Sequence, residues 1–193
     1  MSSTKEACLP AFDPVLTVEN IRRIEARHGN VDMMRRAGKA AADFLIARTR
    51  PDARIVLLAG PGNNGGDAIV CAMELAAKGY APQLVVLGDP LRLPPDAKAA
   101  WDQLRPLRAD VWQGLESAEQ ALPQAKAMPA GDVRSFKGRV RVALGFDEAP
   151  ITADWIVDGL FGIGLKRLLD GVYCQAVHAM ACAREAGAKV LSL

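Results

Sequence analysis

The chain has 193 residues, 50% of them apolar and 24% charged, and a net charge of +2. That length holds one domain with a real core and is short for two, and the interspersed acids and bases exclude nucleic acid or a membrane surface as the main partner. With no apolar run of about 20 residues to span a bilayer and no signal-like stretch in MSSTKEACLPAFDP, the expected location is the cytoplasm.

The first expected helix is LTVENIRRIEARHG, with Thr17 as N-cap, Asn20 three residues on, and Ile21 and Ile24 on one stripe. A second, VDMMRRAGKAAADFLIARTR, spaces Val31, Met34, Ala37, Ala41 and Leu45 helically. Asp32 lies near its start, Arg48 and Arg50 near its end, and Pro51 stops it. ARIVLLAG is the continuous apolar run of a strand covered on both faces. GPGNNGGDAIV follows as a loop running into the helix DAIVCAMELAAKGY, which Gly79 ends. PQLVVLGD reads as a second buried strand, and PPDAKAAWDQLRPL as a helix opened by prolines. From about residue 108 to 150 the pattern weakens into an elaborated connection with a helix over Ser117 to Lys126 and a strand near Val140. ADWIVDGLFG is a third clear strand, GVYCQAVHAMACAREAG a helix, and AKVLSL a fourth strand. This alternation predicts an α/β fold: a mostly parallel sheet with helices on both faces and the two leading helices packed against it.

The cysteines Cys8, Cys71, Cys174 and Cys182 form no CxxC, and His28 and His178 are the only histidines. No zinc constellation follows, and the thiols read as idle in a reducing compartment.

The glycine-rich stretch Gly60 to Val70 leaves the carboxyl end of a buried strand and enters a helix. Ligands of open α/β sheets bind at that edge, and a helix N-terminus offers free N–H groups and a partial positive charge. Glycines let a phosphate approach the backbone and permit positive φ. Asn63 and Asn64 add carbonyl oxygens suited to a hard cation, and Asp67 adds an acid at the helix start. The stretch also satisfies G-x-G-x-x-G at Gly60, Gly62 and Gly65, with Asp89 at the end of the next strand. A nicotinamide-dependent oxidoreductase is therefore a rival reading. A second loop, DGLFGIGLKRLLDG, repeats the arrangement: Asp158 ends a strand, Gly162 and Gly164 loosen the chain, and Lys166 and Arg167 bring positive charge. Two such loops converging on one crevice can hold a pyrophosphate.

GPGNNGGDAIV followed by IVDGLFGIGL, behind LTVENIRRIEARHG and MMRRAG, resembles the YjeF N-terminal domain family, the NAD(P)H-hydrate epimerases. The likeness runs from about Val15 to the end, apart from a longer 115–150 stretch. It implies a three-layer αβα Rossmann-like sandwich in a single domain over residues 1–193. It also implies interconversion of the R and S forms of hydrated NADH and NADPH (NADHX and NADPHX), with a homodimer as the expected assembly. By the same resemblance Asn63, Asn64, Gly65, Gly66 and Asp67 contact substrate. Gly162, Ile163, Gly164, Leu165, Lys166, Arg167 and Leu168 hold its phosphates, and Asn64 and Asp158 ligate K+. Family members continue with a D-x-P-S-G stretch, whereas this sequence ends VLSL. The implied chain is thus incomplete at its C-terminal end, with its catalytic acid expected after Leu193. A non-catalytic nucleotide-binding or interaction module is the third reading.

Overall fold

The computed structural model describes residues 16–27, 32–105, 108–110, 138–146, 150–163, 165–166 and 168–193. The chain divides into two compact units, Met1–Val31 and Asp32–Leu193. In the first, helix α1 spans Val18–Arg27. Its start is the expected one, since Thr17 Oγ1 accepts the Asn20 N–H at 3.2 Å and spares an orphan donor of the first turn.

The second unit begins with α2 (Met33–Ile46), capped by Asp32, whose Oδ1 accepts the Arg35 N–H at 3.0 Å. Its buried face is Gly38, Ala41, Ala42 and Leu45, whereas Ala37 of the expected stripe is exposed. Gly38 replaces it because the next helix comes so close that a Cβ there would stand 2.5 Å from Val70 Cβ. Arg48 and Arg50 fall beyond the helix. The Arg48 guanidinium nevertheless donates to the Phe44 carbonyl at 3.1 Å and lies 3.7 Å over its ring, so it still serves the helix end.

The six strands are β1 (Ile55–Ala59), β2 (Gln83–Val86), β3 (Arg108–Asp110), β4 (Val140–Leu144), β5 (Trp155–Gly159) and β6 (Lys189–Ser192). They form one sheet in the order β3-β4-β2-β1-β5-β6, every pairing parallel. The sequence pattern anticipated β1, β2, β5 and β6, and a strand near Val140. Three-residue β3 is too short to leave a periodic signal, and the helix expected over residues 117–126 lies outside the described residues.

Helices α3 (Asn63–Ala77), α4 (Pro95–Leu104) and α5 (Gly171–Glu185) complete the layers. Side chains alternate across β1: Ile55, Leu57 and Ala59 join the core of α2, α3 and α4, while Val56 and Leu58 join that of α5. The αβα sandwich is thus the one the pattern and the resemblance predicted. Gly79, at φ +83°, ends α3 with the paired bonds Tyr80 N–H to Leu75 and Gly79 N–H to Ala76, the double closure of a Schellman turn. Among the described residues no helix is long and apolar enough to cross a membrane.

Candidate functional site

Strand order locates the crevice. From β1 the chain builds outward through β2 to β4 and β3, then returns to β5 on the other side of β1. The reversal lies between the carboxyl ends of β1 and β5, where neighbouring connections diverge to opposite sides and leave a cleft. Both glycine-rich stretches leave the sheet there.

The first is less of a loop than its composition suggests. Gly62 caps α3, and Asn63, Asn64, Gly65, Gly66 and Asp67 already belong to the helix. None of Gly60, Gly62, Gly65 and Gly66 has a positive φ. Their freedom of φ, expected from sequence, is unused, and close packing explains them instead. A Cβ on Gly65 would overlap the Gly60 carbonyl oxygen, and one on Gly60 would overlap that of Leu160. One on Gly66 would press on Met34 and Ala97. Missing side chains thus let the end of β1, the first turn of α3 and the end of β5 touch through backbone, and the Gly60 N–H donates to the Gly159 carbonyl at 3.0 Å. Gly62 differs, because a Cβ there would meet nothing within 4 Å. Beside that open space the Asn63 and Asn64 N–H groups have no partner among the described residues. Among the described residues this is a helix N-terminus with free N–H groups beside an open position at Gly62.

The second stretch lies against the first. A Cβ on Gly162 would stand 3.7 Å from Asn64 Oδ1, and one on Gly159 would stand 2.9 Å from the Asn64 carbonyl oxygen. Asn64 Nδ2 is buried without a hydrogen-bond partner. Asp158, one residue before Gly159, accepts the Leu160 N–H at 3.1 Å and the Ser192 hydroxyl at 3.4 Å. Asn64 and Asp158 therefore flank the same turn, with no hydrogen bond between them among the described residues. Ile163, Leu165, Lys166 and Leu168 are exposed on the loop, Leu168 by 92%. Gly164 and Arg167 lie outside the described residues.

Residues 30–193 match the family described as YjeF-related protein N-terminus. The chain belongs to that family. This YjeF-related chain is 40% identical over 161 residues to a protein named NAD(P)H-hydrate epimerase from Bordetella pertussis (strain Tohama I), covering 81% of this chain and 55% of that one. A Roseobacter litoralis protein of the same name is 34% identical over 169 residues, covering 82% and 68%. The chain thus spans little more than half the length of its Bordetella relatives. Among solved structures, the crystal structure of yeast ynu0 matches with a TM-score of 0.60 at 20% identity, over 90% of this chain and 65% of that one, which supports the fold.

Three features of this YjeF-related site escape sequence reasoning. Asp67 has no hydrogen-bond partner among the described residues, and burial pushes its carboxyl up from 3.8 to about 7. Tyr173 of α5 packs edge-on to Phe161 at 5.1 Å, and its hydroxyl donates to the Leu87 carbonyl at 3.5 Å. This aromatic pair joins the ends of β2 and β5, but in sequence it looks like ordinary core. Ser192 reaches Asp158 through the β5–β6 register, which no local pattern specifies. Asp89 also has a definite local role: its Oδ1 accepts the Leu91 N–H at 2.8 Å and caps the turn Pro90–Arg92. That engagement weakens the oxidoreductase reading, which needs Asp89 for a ribose.

Proposed function

We propose that this YjeF-related chain interconverts the R and S epimers of hydrated NADH and NADPH. The observation that carries the reading is the convergence of the open α3 N-terminus with the Asp158–Leu168 loop at the β1/β5 reversal. The names of the relatives support the reaction. Asn63 and Asn64 N–H groups bind substrate phosphate, helped by the α3 dipole and by the positive charges of Lys166 and, by the family resemblance, Arg167. Gly65 and Gly66 let the helix reach the cleft, and by the family resemblance Gly162, Ile163, Gly164, Leu165 and Leu168 hold the substrate phosphates with them.

Epimerisation requires a planar carbon. The ring nitrogen lone pair of the hydrated nicotinamide expels the C6 hydroxyl as that oxygen takes a proton, so a C–O bond breaks and water leaves. Water then adds to either face, and its proton returns to the donor. Asp67 suits that exchange, because a carboxyl titrating near neutrality gives and retakes a proton at little cost. A cleft that limits water favours return to the same planar carbon.

The donor set fits a potassium ion. Asp158 and Asn64 offer carboxylate and amide oxygens, and Asn64 has a buried amide nitrogen without a partner, so the amide can turn its oxygen inward. When bound, the ion supplies positive charge that offsets Asp158 and the substrate phosphates. A cytoplasmic homodimer belongs to the same reading.

The test is epimerisation of purified S- and R-NADHX by this chain, with and without KCl. Interconversion above the spontaneous rate is expected, and its absence in both conditions overturns the proposal.

A further inference from the structure

We propose that Cys182 and His178 form an exposed chelate for a borderline-soft metal ion of the zinc type, on α5 and separate from the nucleotide cleft. In α5, GVYCQAVHAMACARE, Cys174, His178 and Cys182 recur at intervals of four residues. A period of 3.6 stacks such residues along one face, and all three are exposed. A search for CxxC spacing passes over this arrangement, because its period is helical.

The spacing of the pair is the one that a shared ion needs. Cys182 Sγ lies 3.6 Å from His178 Nε2. Two ligands of one tetrahedral zinc, with Zn–S about 2.3 Å and Zn–N about 2.0–2.1 Å, stand roughly 3.5 Å apart. The pair already has that separation, so an ion can bridge it with little rearrangement of either rotamer. In the unligated chain the same contact serves as a weak thiol–imidazole hydrogen bond. Binding exchanges the thiol proton for the metal: Cys–SH and the divalent ion give a Cys–S–metal bond and a released proton, while the neutral imidazole donates its lone pair. Position adds to the case. Cys182 lies in the last turn of α5, which ends at Glu185, and a helix C-terminus favours a cation.

Cys174 cannot join the same ion, since eight residues of helix separate it from Cys182 by roughly 12 Å. Among the described residues no group of three or more metal-binding side chains converges. The chelate is therefore two-coordinate from the protein and leaves two positions for water, a small thiol or a side chain of another molecule. It is a soft site, unlike the oxygen set of Asn64 and Asp158, and its ligands take no part in the proposed epimerisation.

The experiment is titration of the reduced, chelator-treated chain with Cd2+, following the thiolate-to-metal charge-transfer absorption, with Zn2+ as competitor. The wild-type chain and Cys174→Ser are expected to show a common high-affinity band that zinc displaces. Cys182→Ser should lose it, and His178→Ala should weaken it by at least the roughly tenfold that even an outer-shell change costs. All three substitutions are at exposed positions, and circular dichroism checks that each variant is folded. A band that persists at full affinity in His178→Ala, that disappears in Cys174→Ser, or that is missing from the wild-type chain overturns the proposal.

Discussion

Asn64 shows how one residue links local structure to the binding role proposed for it. It is the second residue of α3, its carbonyl lies against Gly159, and its amide lies beside Gly162; among the described residues its N–H is free and its Nδ2 unpaired. If Asn64 and Asp158 hold potassium, Asn64→Ala and Asp158→Ala will each reduce epimerisation and abolish its stimulation by KCl. Rates measured with potassium or sodium salts check this, and an unchanged potassium response in both variants removes the ion from those residues. Asp67 offers a second test, independent of activity. Its folded-state pKa, about 7, is above the ordinary 3.8. A raised carboxyl pKa means that stability is fully present below about pH 4 and is lost as pH rises through about 7, where the folded chain must hold a charge in a poorly solvated place. Asp67→Asn removes that charge. Relative to wild type it should gain about 1–2 kcal/mol at pH 8 and much less at pH 5, a figure already reduced for the partial exposure of the group. Urea denaturation at the two pH values reads the difference directly, and an equal gain at both would show that Asp67 does not titrate in this range.

At the scale of the element, the glycines of α3 fall into two kinds that composition cannot separate. Gly65 is where helix and strand backbones touch, and Gly62 is where the chain faces open space. Gly65→Ala is therefore expected to cost about 3 kcal/mol or more, in the range of severe overpacking. Gly62→Ala should leave the urea midpoint nearly unchanged and still weaken nucleotide binding, because its methyl group enters the approach to the free N–H groups. Calorimetric binding of NADPH alongside denaturation distinguishes the two, and similar behaviour of both variants would contradict the division. The same elements show what the sequence can convey. Continuous apolar runs made β1, β2 and β5 plain, because a strand buried on both faces has no polar positions to interrupt it. From sequence the start of α3 reads as loop, because Asn, Gly and Asp disfavour helix interiors. Here tertiary packing of Gly65 and Gly66 against Gly60, Met34 and Ala97 overrides that preference. The two loops of the site were legible as motifs. Tyr173, Phe161 and Ser192 were not, since their roles depend on strand order and register.

For the unit Asp32–Leu193, one sheet serves two cores. Leu57 faces α2, α3 and α4, Leu58 faces α5, and both are fully buried. Exposing either face strips the shared strands of half their covering, so loss of one core weakens the sheet on which the other rests. Arg54 and Asp154 reinforce the sheet across 100 residues of sequence. The Arg54 N–H and guanidinium both donate to the Asp154 carboxylate, at 2.7 and 2.8 Å, and clamp the entries of β1 and β5 together. The Arg54 hydrogen bonds hold the Asp154 carboxyl below its ordinary pKa, so this clamp loses strength as pH falls into the acid range, opposite to Asp67. Such sharing predicts a single cooperative transition. Ile69→Val in the α3 core and Ile156→Val in the α5 core should each cost about 0.5–1.5 kcal/mol and add within roughly 0.5 kcal/mol, as sites without common partners do. Both variants should unfold in one step, with tryptophan fluorescence, to which Trp155 of β5 contributes, coinciding with far-ultraviolet circular dichroism. Separate transitions by the two probes, or a destabilisation in one variant that leaves tryptophan unfolding untouched, would mean that the faces fold independently. The backbone contact of Gly60, Gly65 and Gly159 would then have to hold the β1/β5 cleft together without a common sheet behind it.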